Sequence, residues 1–309
     1  MDPLVTPATL AAIEKAKHAA IVVPAADLAT LVVTGGDRRS WLNGLITCDL
    51  APMKEGEAAY GLFVTQKGRV LADAIVLLDG VRVLLAVPRG PLGELKTSLQ
   101  HYLIMEDAEL SDGEFEVSLI HGPRAEEVRK AMVSAGAAGA SLDRTGLGGA
   151  VVFAPRDTFA RVQDARDSAL VAVEGALVDD AAWDAVRIDR RVPRYGADFD
   201  AATYPQEAGL EKRAVSFSKG CYLGQEVVCM LEMRGHVKRR LVAMSVAGTA
   251  PARGAEVKDE AGEIVGAITS VVAEPGGARA MAMVKRASAE PGKRLHVGDA
   301  VATVIDAAS

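Results

Sequence analysis

The stretch Lys219-Gly220-Cys221-Tyr222-Leu223-Gly224-Gln225-Glu226 (KGCYLGQE) is the densest piece of chemistry in the chain. A thiol stands two residues after an ammonium and between two glycines, and an amide and a carboxylate follow. Glycines at that spacing permit tight turns, so the segment does not read as the middle of a strand. Residues 225–231 (QEVVCML) read as a helix, which puts Cys221 at or just before a helix N-terminus. The dipole there, together with Lys219, would favour the thiolate, which is the nucleophilic, metal-binding and redox-active form. The plain alternative is a small buried hydrophobe, the usual role of an intracellular cysteine. Cys48 and Cys229 lack such neighbours and read as packing residues. Gln225 and Glu226 are either ordinary helix N-terminal composition or a pair that orients a loop or a ligand.

Downstream, Arg234-Gly235-His236-Val237-Lys238-Arg239-Arg240 is a basic run. It is either a solvated linker or an anion site, in which Arg234, Lys238 and Arg239 would converge on carboxylates or phosphates. Beyond it come short β-like runs between Gly, Pro and Asp turns, with almost no helix signal. Residues 239–309 therefore read as a separate C-terminal all-β barrel. Upstream, residues 29–34 read as a strand, and Asp37 is placed to cap a short helix running to Ile46. Residues 58–65, 69–78 and 81–87 are apolar and β-rich, and Asp79-Gly80 joins the last two as a hairpin. Residues 91–102 and 124–135 read as helices, 115–120 and 151–153 as strands, 180–188 as a helix, and the Gly/Ala-rich stretch 135–150 as a loop. Helices and strands mix without a βαβ rhythm, so the fold class is α+β.

Composition narrows the function. The 309 residues carry a net charge of −6 and only 4% aromatics. Both argue against direct nucleic-acid binding, which needs basic surface or stacking platforms. The most apolar N-terminal run is broken by Pro24 and Asp27, too short and interrupted to span a bilayer. Three cysteines are too few for a disulfide scaffold and fit a reducing, cytoplasmic setting. No CxxC pair or His cluster forms a metal site.

KGCYLGQE resembles the Lys-Gly-Cys-Tyr/Phe-x-Gly-Gln-Glu motif of the YgfZ family, folate-binding proteins related to the aminomethyltransferase (T-protein) of glycine cleavage. It matches at every fixed position. The resemblance covers nearly the whole chain. VTGGDRRSWLNGLITCDL (33–50) is similar to the family's Gly-x-Asp-Arg-x-x-Phe-Leu-x-Gly-x-x-Thr-x-Asp stretch, TQKGRVLADAIVL (65–77) to the strand turn after it, and VPRYGADFDAATYPQEAGL (192–210) to the lead-in to the motif.

That resemblance implies an aminomethyltransferase-like fold around a central folate-binding hole. Residues 1–238 would form two α+β subdomains, roughly 1–110 with 190–238 and 111–189, followed by the barrel. Tetrahydrofolate or a one-carbon derivative is the implied cofactor. In the superfamily an Arg-x-Glu-x-Gly segment reads the pterin. Here Arg187-Ile188-Asp189-Arg190-Arg191 stands there, with Asp189 for Glu and Arg191 for Gly, and Glu207 is a second acidic candidate. Aminomethyltransferases carry a Gly-Gly-x-x-Asp-Asp turn. The aligned Gly68–Asp73 keeps one acid, Asp73, beside Ala72, and a lone Asp in a strand is often solvent-facing. The Lys-Gly-Cys motif, absent from those enzymes, points the same way, to a protein that is not a classical aminomethyltransferase. The expected function is a folate-binding accessory protein supporting iron–sulfur enzymes, including tRNA-modifying ones, with Cys221 as the essential thiol beside Lys219 and with Gly220, Tyr222, Gly224, Gln225 and Glu226 as its frame. Asp189, Glu207, Arg234, Lys238 and Arg239 are the expected folate contacts, and iron–sulfur apoproteins or their assembly machinery the expected partners. The rival readings are a folate-dependent aminomethyl transferase or demethylase and a pure scaffold.

Overall fold

The strand Val70–Asp79 is buried along nearly its whole length, and a computed structural model of the chain shows why. It lies inside a five-stranded sheet, paired antiparallel on one side to Ala58–Val64 and on the other to Arg82–Pro88. The second pairing closes through Asp79-Gly80, where Gly80 supplies the positive φ that such a turn needs. Leu28–Thr34 and Glu109–Asp112 complete the sheet. Leu31, Val33, Trp41, Leu42, Phe63, Val76 and Leu85 form its core with the helix Leu92–His101. That helix turns Leu95 and Leu99 inward at the expected four-residue spacing. The structure describes residues 7–235 and 237–307; His236 of the basic run falls outside them.

A second five-stranded sheet is ordered Ala176–Leu177, Ile21–Pro24, Phe115–His121, Gly149–Pro155, Ala138–Ser141. The helices Ala125–Ser134 and Phe159–Ala172 pack through a core that includes Val128, Met132, Val152, Val162 and Leu170. Both sheets belong to one compact unit, made of residues 14–180 and 214–225.

The other unit comprises residues 1–13, 181–213 and 226–309. Its centre is a closed six-stranded barrel ordered Arg239–Ala247, Gly277–Lys285, Ile264–Glu274, Glu256–Lys258, Arg294–Val297, Ala300–Ala307. Closure removes the sheet edges, and alternate residues such as Val242, Met244, Val246, Ala280, Ala282 and Val304 fill the interior. Among the described residues no helix is long and apolar enough to cross a membrane.

Three local expectations change. Asp37 does not cap its helix, Arg38–Asn43; its carboxylate accepts the backbone N–H of Asp107 instead. The stretch 135–150 is not all loop, because Ala138–Ser141 pairs antiparallel with the following strand. Phe159–Ala172 is a helix that the sequence reading left unassigned, and Arg166 occupies its buried stripe between Val162 and Leu170.

Candidate functional site

Five carbonyls in the turn after the helix Arg38–Asn43 face one segment of chain. The carbonyl of Thr47 accepts Ser216 N–H at 2.9 Å and that of Gly44 accepts Leu223 N–H at 3.0 Å. The carbonyls of Asn43, Ile46 and Cys48 accept from Lys219 Nζ at 2.7, 2.9 and 2.7 Å. Asn43 Oδ1 is a fourth acceptor for the same ammonium at 2.9 Å. The last carbonyls of a helix lack intrahelical partners, and here the chain from 216 to 223 satisfies those of the turn. Two sequence motifs about 170 residues apart are thus one structural piece.

The rest of KGCYLGQE tightens the same arch. Gly224 has φ +77°, and a Cβ there would stand 2.4 Å from the Thr65 carbonyl oxygen, so only glycine fits. Tyr222 is buried, with Lys219 Nζ 5.3 Å from its ring centroid. Gln225 closes a reciprocal turn: its N–H donates to Tyr222 O at 3.1 Å, and its Oε1 accepts Tyr222 N–H at 3.3 Å. The helix Gln225–Arg234 follows, as expected, and Glu226 is exposed in its first turn. Between the anchors, Gly220 and Cys221 are exposed. Cys221 is not a buried hydrophobe; it sits at the top of an arch held on both sides.

One expectation is corrected by this geometry. Lys219 does not spend its charge on Cys221. Its ammonium is buried among backbone oxygens, and desolvation lowers its proton affinity below the ordinary lysine range. The thiol nearest in electrostatic effect is Cys48, where burial dominates and pushes the pKa up to about 12. Cys48 is a core residue, against Gly61, and burial also raises the Cys229 thiol, so neither is primed as a thiolate.

Asp73 is likewise not solvent-facing. It is buried, Tyr60 donates its hydroxyl to Oδ2 at 2.9 Å, and Oδ1 has no hydrogen-bond partner among the described residues. Desolvation raises its pKa, against the pull of Arg144 at 4.0 Å and the Tyr60 hydrogen bond. Arg144 also stacks over the Tyr60 ring at 4.2 Å. A buried carboxylate with one unpartnered oxygen is suited to hold or pass a proton or to accept from a ligand N–H. The signal available in sequence was the unbroken apolar run around it, which marks a strand buried on both faces.

In the other unit, Glu207 and Arg239 are brought together. Arg239 donates to both carboxylate oxygens at 3.2 and 3.4 Å, and Glu207 Oε2 also accepts Tyr204 N–H at 3.0 Å. Asp189 ends the helix Asp180–Asp189 and pairs through Oδ1 with Arg279. Arg234 and Lys238 are exposed. Arg191, in the place of the superfamily's glycine, adopts φ +57°, the left-handed conformation that glycine would take without strain. Sequence reading passed over the role of Arg187. It is fully buried and donates to Asp198 Oδ2 at 2.7 Å and Ser270 Oγ at 2.8 Å.

Comparison with known proteins agrees with this architecture. The GCVT N-terminal domain family matches residues 3–158, half of the chain, and the CAF17 C-terminal β-barrel domain matches residues 238–308. The "tRNA-modifying protein YgfZ" of Vibrio vulnificus (strain YJ016) is 28% identical over 224 residues, covering 71% of this chain and 68% of that protein. The aminomethyltransferase of Thermotoga maritima is 28% identical over 297 residues, covering 88% and 78%. The crystal structure of the glycine cleavage aminomethyltransferase of Bartonella henselae superposes with a TM-score of 0.82 at 20% identity, over 99% of this chain and 90% of that one. The chain belongs to the GCVT aminomethyltransferase superfamily and, within it, to the YgfZ family.

Proposed function

We propose that this protein is a cytoplasmic, tetrahydrofolate-binding accessory factor that supports the assembly or repair of iron–sulfur enzymes, tRNA-modifying ones among them, with Cys221 as its working thiol. The observation that carries the reading is the exposed Cys221 on an arch that Ser216, Lys219 and Leu223 anchor on both sides. A single soft thiolate suits passing contact with iron or sulfur, whereas a resident cluster takes about four such ligands. Relatives named as tRNA-modifying proteins support the client class.

The residues present fit a folate. Asp73 Oδ1 is a buried acceptor with no partner among the described residues, matched to the N–H groups of a reduced pterin. Asp189, in the other unit, is already paired through Oδ1 with Arg279, so the folate assignment rests on Asp73. Glu207 and Arg239 hold each other, so their part is to fix the start of the barrel rather than to meet the ligand directly. Bound tetrahydrofolate would supply a carrier for a one-carbon unit.

Asp73 favours a second reading, folate-dependent group transfer, because its raised pKa and unpartnered oxygen are those of an acid–base group. One experiment separates the two. Wild type and Cys221→Ser are titrated with tetrahydrofolate by calorimetry and tested for restoring an iron–sulfur tRNA-modifying enzyme in cells lacking the native protein. The accessory reading expects equal folate binding and restoration by wild type only. Full restoration by Cys221→Ser overturns it, and turnover of an aminomethyl or methylamine substrate by that variant establishes the second reading.

A further inference from the structure

The four acceptors around Lys219 Nζ are all neutral oxygens: the carbonyls of Asn43, Ile46 and Cys48 and the amide oxygen of Asn43, at 2.7–2.9 Å. A buried ammonium ordinarily meets a carboxylate. A set of neutral oxygens at these separations is instead the kind of shell that takes the place of water around a monovalent cation. One member of the shell is held independently of the lysine, because Asn43 Oδ1 also accepts Leu50 N–H at 2.8 Å. Tyr222 presents its ring on a further side, 5.3 Å from Nζ.

We propose that Lys219 is a tethered monovalent cation: its ammonium fills an oxygen cage made by residues 43–48, this holds the Cys221 arch in position, and the emptied cage takes potassium or ammonium. The side chain supplies the cation and the tether at once. Residues 216–223 are thereby joined to the turn after the helix Arg38–Asn43 by one charged anchor, with the Ser216 and Leu223 amides on either side of it. Lys219 is a positioning residue in this scheme, and its importance for function rests on the reading of Cys221 as the working thiol.

Two substitutions empty or block the cage. Lys219→Ala removes the cation and leaves room for a free one. Lys219→Met removes the charge but keeps a chain of similar length in the cage. The readout is hydrogen exchange at the Ser216 and Leu223 amides, measured by NMR in potassium or ammonium chloride at ionic strength held constant with tetramethylammonium chloride. Lys219→Ala is expected to exchange about tenfold to a hundredfold faster than wild type in tetramethylammonium alone and to recover with potassium or ammonium. Lys219→Met should be as fast and recover with neither, and wild type should ignore the cations. Inside cells rich in potassium, Lys219→Ala should therefore support function better than Lys219→Met. Unchanged exchange in Lys219→Ala overturns the proposal, and so does equal recovery of both variants, which would mark a general salt effect. Should neither variant fold, the wild-type Lys219 ammonium is observed directly by proton–nitrogen correlation: protons protected from water support the cage, and free exchange with water overturns it. Restoration by Cys221→Ser would overturn the functional reading and leave these exchange results as they stand.

Discussion

Asp198 and Asp73 are both buried aspartates, one in each unit, and the protein treats them oppositely. Asp198 receives four donors: Arg187 Nη1 at 2.7 Å, Arg194 N–H at 3.0 Å, Thr269 Oγ1 at 2.6 Å and Ser270 Oγ at 2.7 Å. Asp73 receives one hydroxyl, has a guanidinium at 4.0 Å, and leaves Oδ1 bare among the described residues. A charge taken out of water is held only if its lone pairs are filled. Asp198 meets that condition and joins the segment 187–198 to the barrel strand Ile264–Glu274. Asp73 does not, and an under-coordinated buried charge that costs stability is what a binding or proton-handling site retains.

The largest effect that this contrast predicts is at Asp198. Asp198→Ala leaves Arg187 buried without its main counter-charge, although Asp184 still reaches its Nε. The expected loss is about 3–5 kcal/mol in urea unfolding at neutral pH. Asp73→Asn should go the other way. It removes a desolvated charge while the amide oxygen keeps the Tyr60 hydroxyl, so stability should rise by about 1 kcal/mol while folate binding falls. A destabilised Asp73→Asn would show that Asp73 and Arg144 are a structural pair after all, and the contrast would collapse.

Acidity sharpens the same comparison in the middle range of effect. His121 is buried and held neutral, its pKa pushed down from 6.5 to about 3 by desolvation first and by Arg144 second. The unfolded chain takes up that proton below pH 6.5, so the stability contributed by His121 is full above pH 6.5 and drains as the pH falls towards 3. At pH 4 the expected loss is about 3 kcal/mol. Asp73 has the opposite sign. Its folded pKa is raised above 3.8, so its burial costs most at high pH, and acidification returns that cost as the carboxyl takes up its proton. Urea midpoints between pH 7 and pH 4 should fall less steeply in His121→Gln and more steeply in Asp73→Asn than in wild type. Parallel curves for all three proteins would mean that neither group titrates out of step with the unfolded chain.

How much of this was legible in the sequence depended on how local the cause was. The hairpin at Asp79-Gly80, the helix Gln225–Arg234 and the barrel strands follow from turn chemistry and periodicity within short windows, and they appear where those signals stand. The helix Phe159–Ala172 stayed hidden because Arg166 sits in its buried stripe, which breaks the apolar repeat. Ala138–Ser141 stayed hidden because small residues carry little strand signal, and its identity comes from the partner strand. Cys221 could be singled out from its neighbours, but the direction of Lys219 could not. Two residues of separation in a turn permit either side, and the acceptors that decide it lie more than 170 residues away. A lone Asp in a strand often faces solvent, but Asp73 lies in a strand buried along nearly its whole length, which its own residue type does not reveal. Arg187 and Asp198 need a contact with residue 270 before either looks special.

The smallest stability change belongs to Gly220, and its contrast with Gly224 separates structural from functional need within a single motif. Gly224 has positive φ, and its Cβ would strike the Thr65 carbonyl, so Gly224→Ala should cost about 2 kcal/mol and disturb the arch. Gly220 is exposed, shows no positive φ, and a Cβ there would meet nothing within 4 Å. On backbone grounds Gly220→Ala should therefore stabilise the protein by about 0.5 kcal/mol, through the unfolded chain alone. Nothing in the fold requires glycine at that position, yet it stands beside the one exposed thiol. If a ligand or client must approach the chain closely at Cys221, Gly220→Ala should lower restoration of the iron–sulfur enzyme while raising the melting temperature. A variant that is both more stable and fully active would place the approach to Cys221 on its other side, towards Tyr222, and would leave Gly220 without a role in the arch.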